Sequence, residues 1–141
     1  TVEKHNKQAL ACVEDIGVPP QHLAAFIRDL ESIFKKNKID VVIFGHAGEG
    51  NLHLRPVIKR KDWKKTVKRV AGACYSAAFK YGGTITAEHG MGRNKAFYLR
   101  EEWGNKIYAY FREVKEIFDP ENILNPDVMF SQKDITNKME Y

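Results

Sequence analysis

Apolar residues recur along the chain with two different periods, and the switching between them predicts the order of elements. The segment "QALACVEDIGV" (8–18) is apolar and β-branched enough for a strand, and Pro19-Pro20, which cannot continue a ladder, ends it. Leu23, Phe26, Ile27, Leu30, Ile33 and Phe34 then keep helical spacing. Lys35, Lys36 and Lys38 suit the negative C-terminal end of that helix, and Asn37 is a left-handed stop. Next, "IDVVIFGH" (39–46) reads as a short buried strand, followed by a glycine-rich turn and by "NLHLRPVI" (51–58) as the returning strand.

A second helix is predicted from about Lys61 to Tyr81, with Trp63, Val67, Val70, Ala71, Cys74, Ala77, Ala78 and Tyr81 on one stripe. Gly82-Gly83 ends it, and "TITA" (84–87) reads as a short strand. The last long helix covers about Glu101 to Phe118; its stripe is Trp103, Ile107, Tyr110, Phe111, Val114, Ile117 and Phe118, and Asp119-Pro120 stops it. The tail "SQKDITNKMEY" (131–141) has no apolar period and is expected to be mobile. Strand, helix, strand, strand, helix, strand is the order of a split βαβ. The expected fold class is α+β, a ferredoxin-like antiparallel sheet with helices on one face plus a C-terminal helix.

At 141 residues and 43% hydrophobic content the chain can bury one modest core, so one domain is expected. The net charge of +5 would suit nucleic acid, an acidic membrane surface or an anionic substrate without selecting among them. Much of that charge lies in "KRKDWKKTVKR" (59–69), where a solvated helix face is the stronger reading, because no zinc-finger spacing or RNP-type aromatic motif accompanies it. Cys12 and Cys74 lie in segments read as core strand and core helix, so reduced thiols and a cytoplasmic location are expected. No apolar run reaches the roughly 18 residues of a membrane span, and no signal peptide is visible. The chain begins at Thr1, as a processed product or an excised piece would.

Chemistry concentrates in "GHAGEGNLH" (45–53) and "TAEHGMGRNK" (86–95). If the turn is centred between Glu49 and Gly50, positions whose numbers sum to 99 lie opposite one another, and His46 faces His53 at a Cβ separation of roughly 4.5–5.5 Å. Glu88 and His89 are neighbours on a segment read as extended, so their side chains are expected to point to opposite sides, one as a third ligand and the other facing a different space. Two histidines and a carboxylate with open positions make a catalytic zinc-type or iron-type site. His5 and His22 are read as ordinary hydrogen-bonded residues, and Asn51 as a turn residue or a brace for the site.

In their order and spacing, "GHAGEGNLH", "GGTITAEHGMG" (82–92) and "FDPENILNP" (118–126) resemble the C-terminal cap domain of the FAD-linked oxidases of the vanillyl-alcohol-oxidase type. D-lactate dehydrogenases, D-2-hydroxyglutarate dehydrogenases and the flavin subunit of glycolate oxidase are of this type. The resemblance covers about residues 10–130, and it implies a cap domain over 1–130 as part of a larger flavoprotein. "VEDIGVP" (13–19) and "EWG" (102–104) are similar to members that join flavin and iron–sulfur modules in one polypeptide.

The resemblance implies that His46, His53 and Glu88 hold a divalent metal (zinc, iron or manganese) and that His89 is the catalytic base. The implied reaction is oxidation of a D-2-hydroxy acid to a 2-oxo acid, with hydride passing to FAD. Arg55, two residues beyond His53 on the same strand face, is a candidate for the substrate carboxylate, with Arg93 as runner-up. Asn125 is placed near the flavin or, with Pro126, merely shapes a turn. Implied partners are the 2-hydroxy acid, the flavin-binding domain and an iron–sulfur module as electron acceptor; attachment to the inner face of a membrane stays open. Nucleic acid is not expected. Without a hydride acceptor, the piece alone is expected to be inactive. The rival reading is a basic ferredoxin-like binding module for nucleic acid or a protein partner.

One geometric conflict follows from the expected topology. In a regular ferredoxin-like sheet the last strand lies at the far edge from the second, which would separate Glu88 from His46. The metal reading therefore requires residues 84–89 to be a short strand or loop that crosses toward the hairpin.

Overall fold

A computed structural model describes residues 6–137 and 139–141. Its elements are β1 (Lys7–Ala9), β2 (Val13–Gly17), α1 (Leu23–Asn37), β3 (Val41–His46), β4 (Asn51–Lys59), α2 (Trp63–Lys80), α3 (Gly92–Lys95) and α4 (Leu99–Phe118). The sheet is antiparallel, with β4 at its centre. Along one side β4 pairs with β1 and then β2, and along the other with β3. One isolated bridge, Gly17 to Thr84, adds the beginning of a further strand beside β2. This is the split βαβ order, and the α+β class is the one the hydrophobic pattern predicts.

The first predicted strand is broken. Leu10 donates to the Pro56 carbonyl, but Pro56 has no N–H to return, and the ladder lapses between β1 and β2. The freed Cys12 carbonyl accepts instead from the buried Tyr75 hydroxyl of α2 at 3.3 Å. Asn37 also departs from expectation: it is the last helical residue, its amide donates to the Ile33 carbonyl at 2.7 Å, and Lys38 takes the left-handed conformation.

Phe26, Leu30 and Phe34 of α1 and Val67, Val70, Ala71, Cys74 and Ala78 of α2 are buried with Val13, Ile16, Leu52, Leu54 and Ile58 of the sheet. Strand alternation then turns Val42, Phe44 and His46 of β3, with Asn51, His53 and Arg55 of β4, onto the opposite face. Helices α1 and α2 therefore cover one face and leave the other for chemistry. Both cysteines are free and buried; burial pushes the Cys12 thiol up to about 12, and the Cys74 thiol is raised for the same reason.

Helix α4 begins at Leu99 and bends at Gly104. It touches the core through Leu99 and Tyr108, and most of its predicted stripe is exposed, Ile117 and Phe118 by 73% and 79%. Beyond it, Asp119 accepts from the Ile123 and Leu124 amides and pairs with Lys115, which folds "FDPENILNP" into a compact turn. The segment expected to be mobile packs back instead: Ile135 and Thr136 are buried, Asp134 meets Lys68 at 2.8 Å, and the Tyr141 hydroxyl donates to the Ile58 carbonyl at 2.8 Å. Its single apolar anchors lack a period, so the pattern did not reveal them.

The β3–β4 connection depends on Gly50, which is buried with φ 73° while its carbonyl accepts from the Val18 amide. A Cβ at this position would run into the Val18 carbonyl. Gly50→Ala is expected to destabilise the chain by about 1–3 kcal/mol, read by urea denaturation. A change below a few tenths of a kcal/mol would contradict the tight approach of the hairpin to Val18.

Candidate metal centre

The two hairpin histidines do not lie directly opposite each other. His46 pairs with Asn51, and Phe44 pairs with His53. The connection is a four-residue one, a 3-10 turn over Ala47–Glu49 followed by left-handed Gly50, so its centre falls one residue earlier than the sequence suggested. His46 and His53 are therefore diagonal neighbours on one face, still within reach for long side chains. Their ring centroids are 6.2 Å apart and nearly perpendicular.

The carboxylate comes from a return segment that abandons the sheet. After Thr84 bridges Gly17, Glu102 of α4 holds the segment's start by accepting from the Ile85 amide at 3.1 Å and from the Thr84 hydroxyl. The chain then crosses toward β4, and Asp15 fixes where it lands. Asp15 sits in a β-bulge of β2, where Val13 pairs with Leu54 and Ile16 with Leu52, so that Glu14 and Asp15 share the space opposite His53. Its φ is 65° and its carboxylate is fully buried. Oδ1 accepts from the Glu88 amide at 2.8 Å, and Oδ2 from the His89 amide at 3.0 Å and from Lys95 Nζ at 2.9 Å. Lys95 also donates to the Ile85 carbonyl at 2.5 Å. Burial alone would raise the Asp15 carboxyl, but Lys95 and the two amides outweigh it and hold it below its ordinary value.

Gripping two successive amides with one carboxylate bends the segment, and Gly90, at φ 71°, continues the turn. Glu88 and His89 consequently do not point to opposite sides as an extended segment would require: His89 Nε2 lies 3.2 Å from Glu88 Oε1. The His89 ring stacks on His53 at 5.3 Å and 21°. Glu88 Oε1 is also 3.1 Å from His53 Nε2, and Oε2 is 3.7 Å from His46 Nε2.

One donor atom from each of His46, His53 and Glu88 lies within 4.8 Å of the others. An ion bonded at about 2.0–2.2 Å to such donors needs them roughly 3–4 Å apart, so small side-chain adjustments suffice. His53 is the buried member of the cluster, with 8% side-chain exposure, whereas His46 at 58% leaves one side open. Asn51 Oδ1 is buried on the same face without a hydrogen-bond partner among the described residues. Nitrogen and carboxylate donors without thiolate suit zinc, iron or manganese. Asp15 also lies near Glu88 and His89, but its oxygens are already committed to Lys95 and the two amides.

The remaining expected residues are placed less centrally. Arg55 shares the face of His53 but pairs with Glu14, its guanidinium 5.5 Å from the Phe44 ring centroid. Arg93 is exposed and lines a cleft of about 420 Å³ with Glu14, His89 and Met91. Asn125 lines a different cavity, with Phe111, Val114 and Leu124, that contains no member of the histidine cluster. His5 lies outside the described residues, and His22 packs on Tyr81. Sequence reasoning missed Glu14, Asp15 and Lys95. The two acids carried a signal, being adjacent inside an apolar strand run, whereas nothing in the polar stretch around Lys95 marks it as buried.

A family model described as "FAD linked oxidases, C-terminal domain" matches residues 2–129. Among curated proteins, the chain is 38% identical over 122 residues to the glycolate oxidase subunit GlcD of Bacillus subtilis, covering 85% of this chain and 26% of that protein. It is 36% identical over 115 residues to the D-2-hydroxyglutarate dehydrogenase of Escherichia coli, covering 80% and 11%. Identity to the D-lactate dehydrogenase of Anaerostipes hadrus is 37% over 115 residues, covering 79% and 24%. The chain thus spans about a quarter or less of the length of these relatives.

The Asp15 bracket has a pH signature. Because folding lowers this pKa, its stabilisation is complete above the ordinary value of 3.8 and disappears as pH falls through the folded-state value. Asp15→Asn removes the charge at all pH values and leaves Lys95 buried without its counter-ion; a loss of about 3–5 kcal/mol at neutral pH is expected from chemical denaturation. The variant should also lose part of the parent's acid sensitivity, and an unchanged acid transition would contradict the assignment.

Proposed function

The chain belongs to the FAD-linked oxidase C-terminal domain family, and on that premise we propose that it is the metal-bearing substrate cap of a flavoprotein that oxidises a D-2-hydroxy acid to a 2-oxo acid. The observation that carries this reading is the convergence of His46, His53 and Glu88 around one open position, with His89 stacked beside it. The relatives, a glycolate oxidase subunit, a D-2-hydroxyglutarate dehydrogenase and a D-lactate dehydrogenase, support the substrate class.

His46, His53 and Glu88 would hold the divalent ion, and their own sheet and bulge would keep them oriented for it. When bound, the metal supplies Lewis acidity to the substrate hydroxyl and FAD supplies the hydride acceptor. His89 Nε2 takes the hydroxyl proton; its stacking on His53 holds the ring at the edge of the open position. Arg55 binds the substrate carboxylate with the guanidinium donors that Glu14 leaves free, and Arg93 is the second candidate, from the rim of the neighbouring cleft.

The exposed apolar residues of α4 and the turn after it, Val114, Ile117, Phe118, Ile123 and Leu124, are assigned to the interface with the flavin-binding domain, and Asn125 lies within the same surface. An iron–sulfur module is the proposed electron acceptor. The proposed location is cytoplasmic, with peripheral attachment to the inner face of a membrane; no helix among the described residues is long and apolar enough to cross one.

Elemental analysis of chain purified without chelators tests the site. Alanine at His46, His53 or Glu88 should each cost more metal affinity than the about 10–100-fold typical of an outer-shell partner, while His89→Ala keeps the metal. In a complete flavoprotein His89→Ala is expected to lower kcat by about 10²–10⁴. Metal retained in all three ligand variants would contradict the reading. The 141-residue chain alone should show no dye reduction with any 2-hydroxy acid, and steady turnover would contradict its role as a cap.

A further inference from the structure

Glu14 is the other acid of the β2 bulge, and unlike Asp15 it turns onto the open face. Its Oε2 lies 2.9 Å from His53 Nδ1, and its Oε1 faces the Arg55 guanidinium. The side chain is largely buried, and Phe44 closes the arrangement from β3, its ring 5.3 Å from that of His53 and 5.5 Å from the Arg55 guanidinium. We propose that Glu14 is a positioning residue that holds His53 as the Nδ1–H tautomer, so that the Nε2 lone pair faces the position shared with Glu88 and His46.

An ionised carboxylate only accepts, so the short contact at Nδ1 requires the proton to be there. A neutral imidazole then has its lone pair on Nε2, which is the atom 3.1 Å from Glu88 Oε1. Two acceptors facing each other at that distance repel unless a proton or a cation lies between them, so fixing the tautomer makes the position receptive to a cation. In water the neutral ring prefers its proton on Nε2, and Glu14 must reverse that preference. Arg55 supports it from the other oxygen: the cation compensates the carboxylate and prevents it from turning toward the open position to compete with Glu88.

The link to metal binding rests on the proposed function; control of the ring does not, and the test separates them. Nitrogen-15 histidine spectra of the metal-free chain at alkaline pH report which ring nitrogen of His53 is protonated. The parent is expected to show Nδ1–H, Glu14→Gln to keep it through the amide oxygen, and Glu14→Ala to revert to Nε2–H. Competition titration with zinc ion should give an affinity about 10–100-fold weaker for Glu14→Ala, with a smaller loss for Glu14→Gln. A parent ring protonated on Nε2, or an alanine variant with unchanged tautomer or unchanged zinc affinity, overturns the proposal. If the alanine variant does not fold, the parent and glutamine spectra still decide it. A parent that shows Nδ1–H yet binds no zinc would refute the metal reading and leave the role of Glu14 intact.

Discussion

A single buried carboxylate makes the rest of the site geometrically accessible. Sheet topology alone would carry residues 84–89 down the outer side of β2, with β2 and β4 between them and the strand of His46. Asp15 prevents this by accepting from two consecutive amides, Glu88 and His89, while Lys95 compensates its charge. Removing such a carboxylate from water is costly, and three donor contacts including a cation offset that cost only in this one arrangement. The same contacts that stabilise Asp15 therefore select where Glu88 and His89 sit.

The bulge gives this constraint its second half. Inserting an extra residue opposite His53 lets Val13 and Ile16 both face the core while two acids occupy the interval between them. One acid turns to the return segment and the other to the His53 ring and Arg55. A regular strand would alternate them to opposite faces and supply at most one. Backbone irregularity at Asp15, with its positive φ, is thus tied to the convergence of side chains from β2, β3, β4 and the return loop.

Much of this was legible in the amino-acid order, and what was hidden has physical reasons. Helical spacing in Leu23–Phe34 and Val67–Ala78 revealed both sheet-packing helices, and alternation revealed the hairpin. The histidines and Glu88 stood out because small residues surround them. Hairpin register did not, because glycines permit several turn centres and only the three-dimensional turn chooses one. The bend at Glu88–His89 was equally invisible: it is imposed by a carboxylate more than seventy positions away in sequence. Helix α4 showed an apolar stripe, but periodicity cannot distinguish a stripe buried within the chain from one left exposed on its surface.

The central claim, that the Asp15 bulge delivers Glu88 to the two hairpin rings, is tested most directly by anomalous diffraction from crystals of the chain grown with zinc. The account predicts one strong peak at about 2.0–2.2 Å from His46 Nε2, His53 Nε2 and a Glu88 oxygen, with both Asp15 oxygens still on the amides. Residues 84–89 found extended alongside β2 as a full fourth strand, with Glu88 remote from both rings, would contradict it.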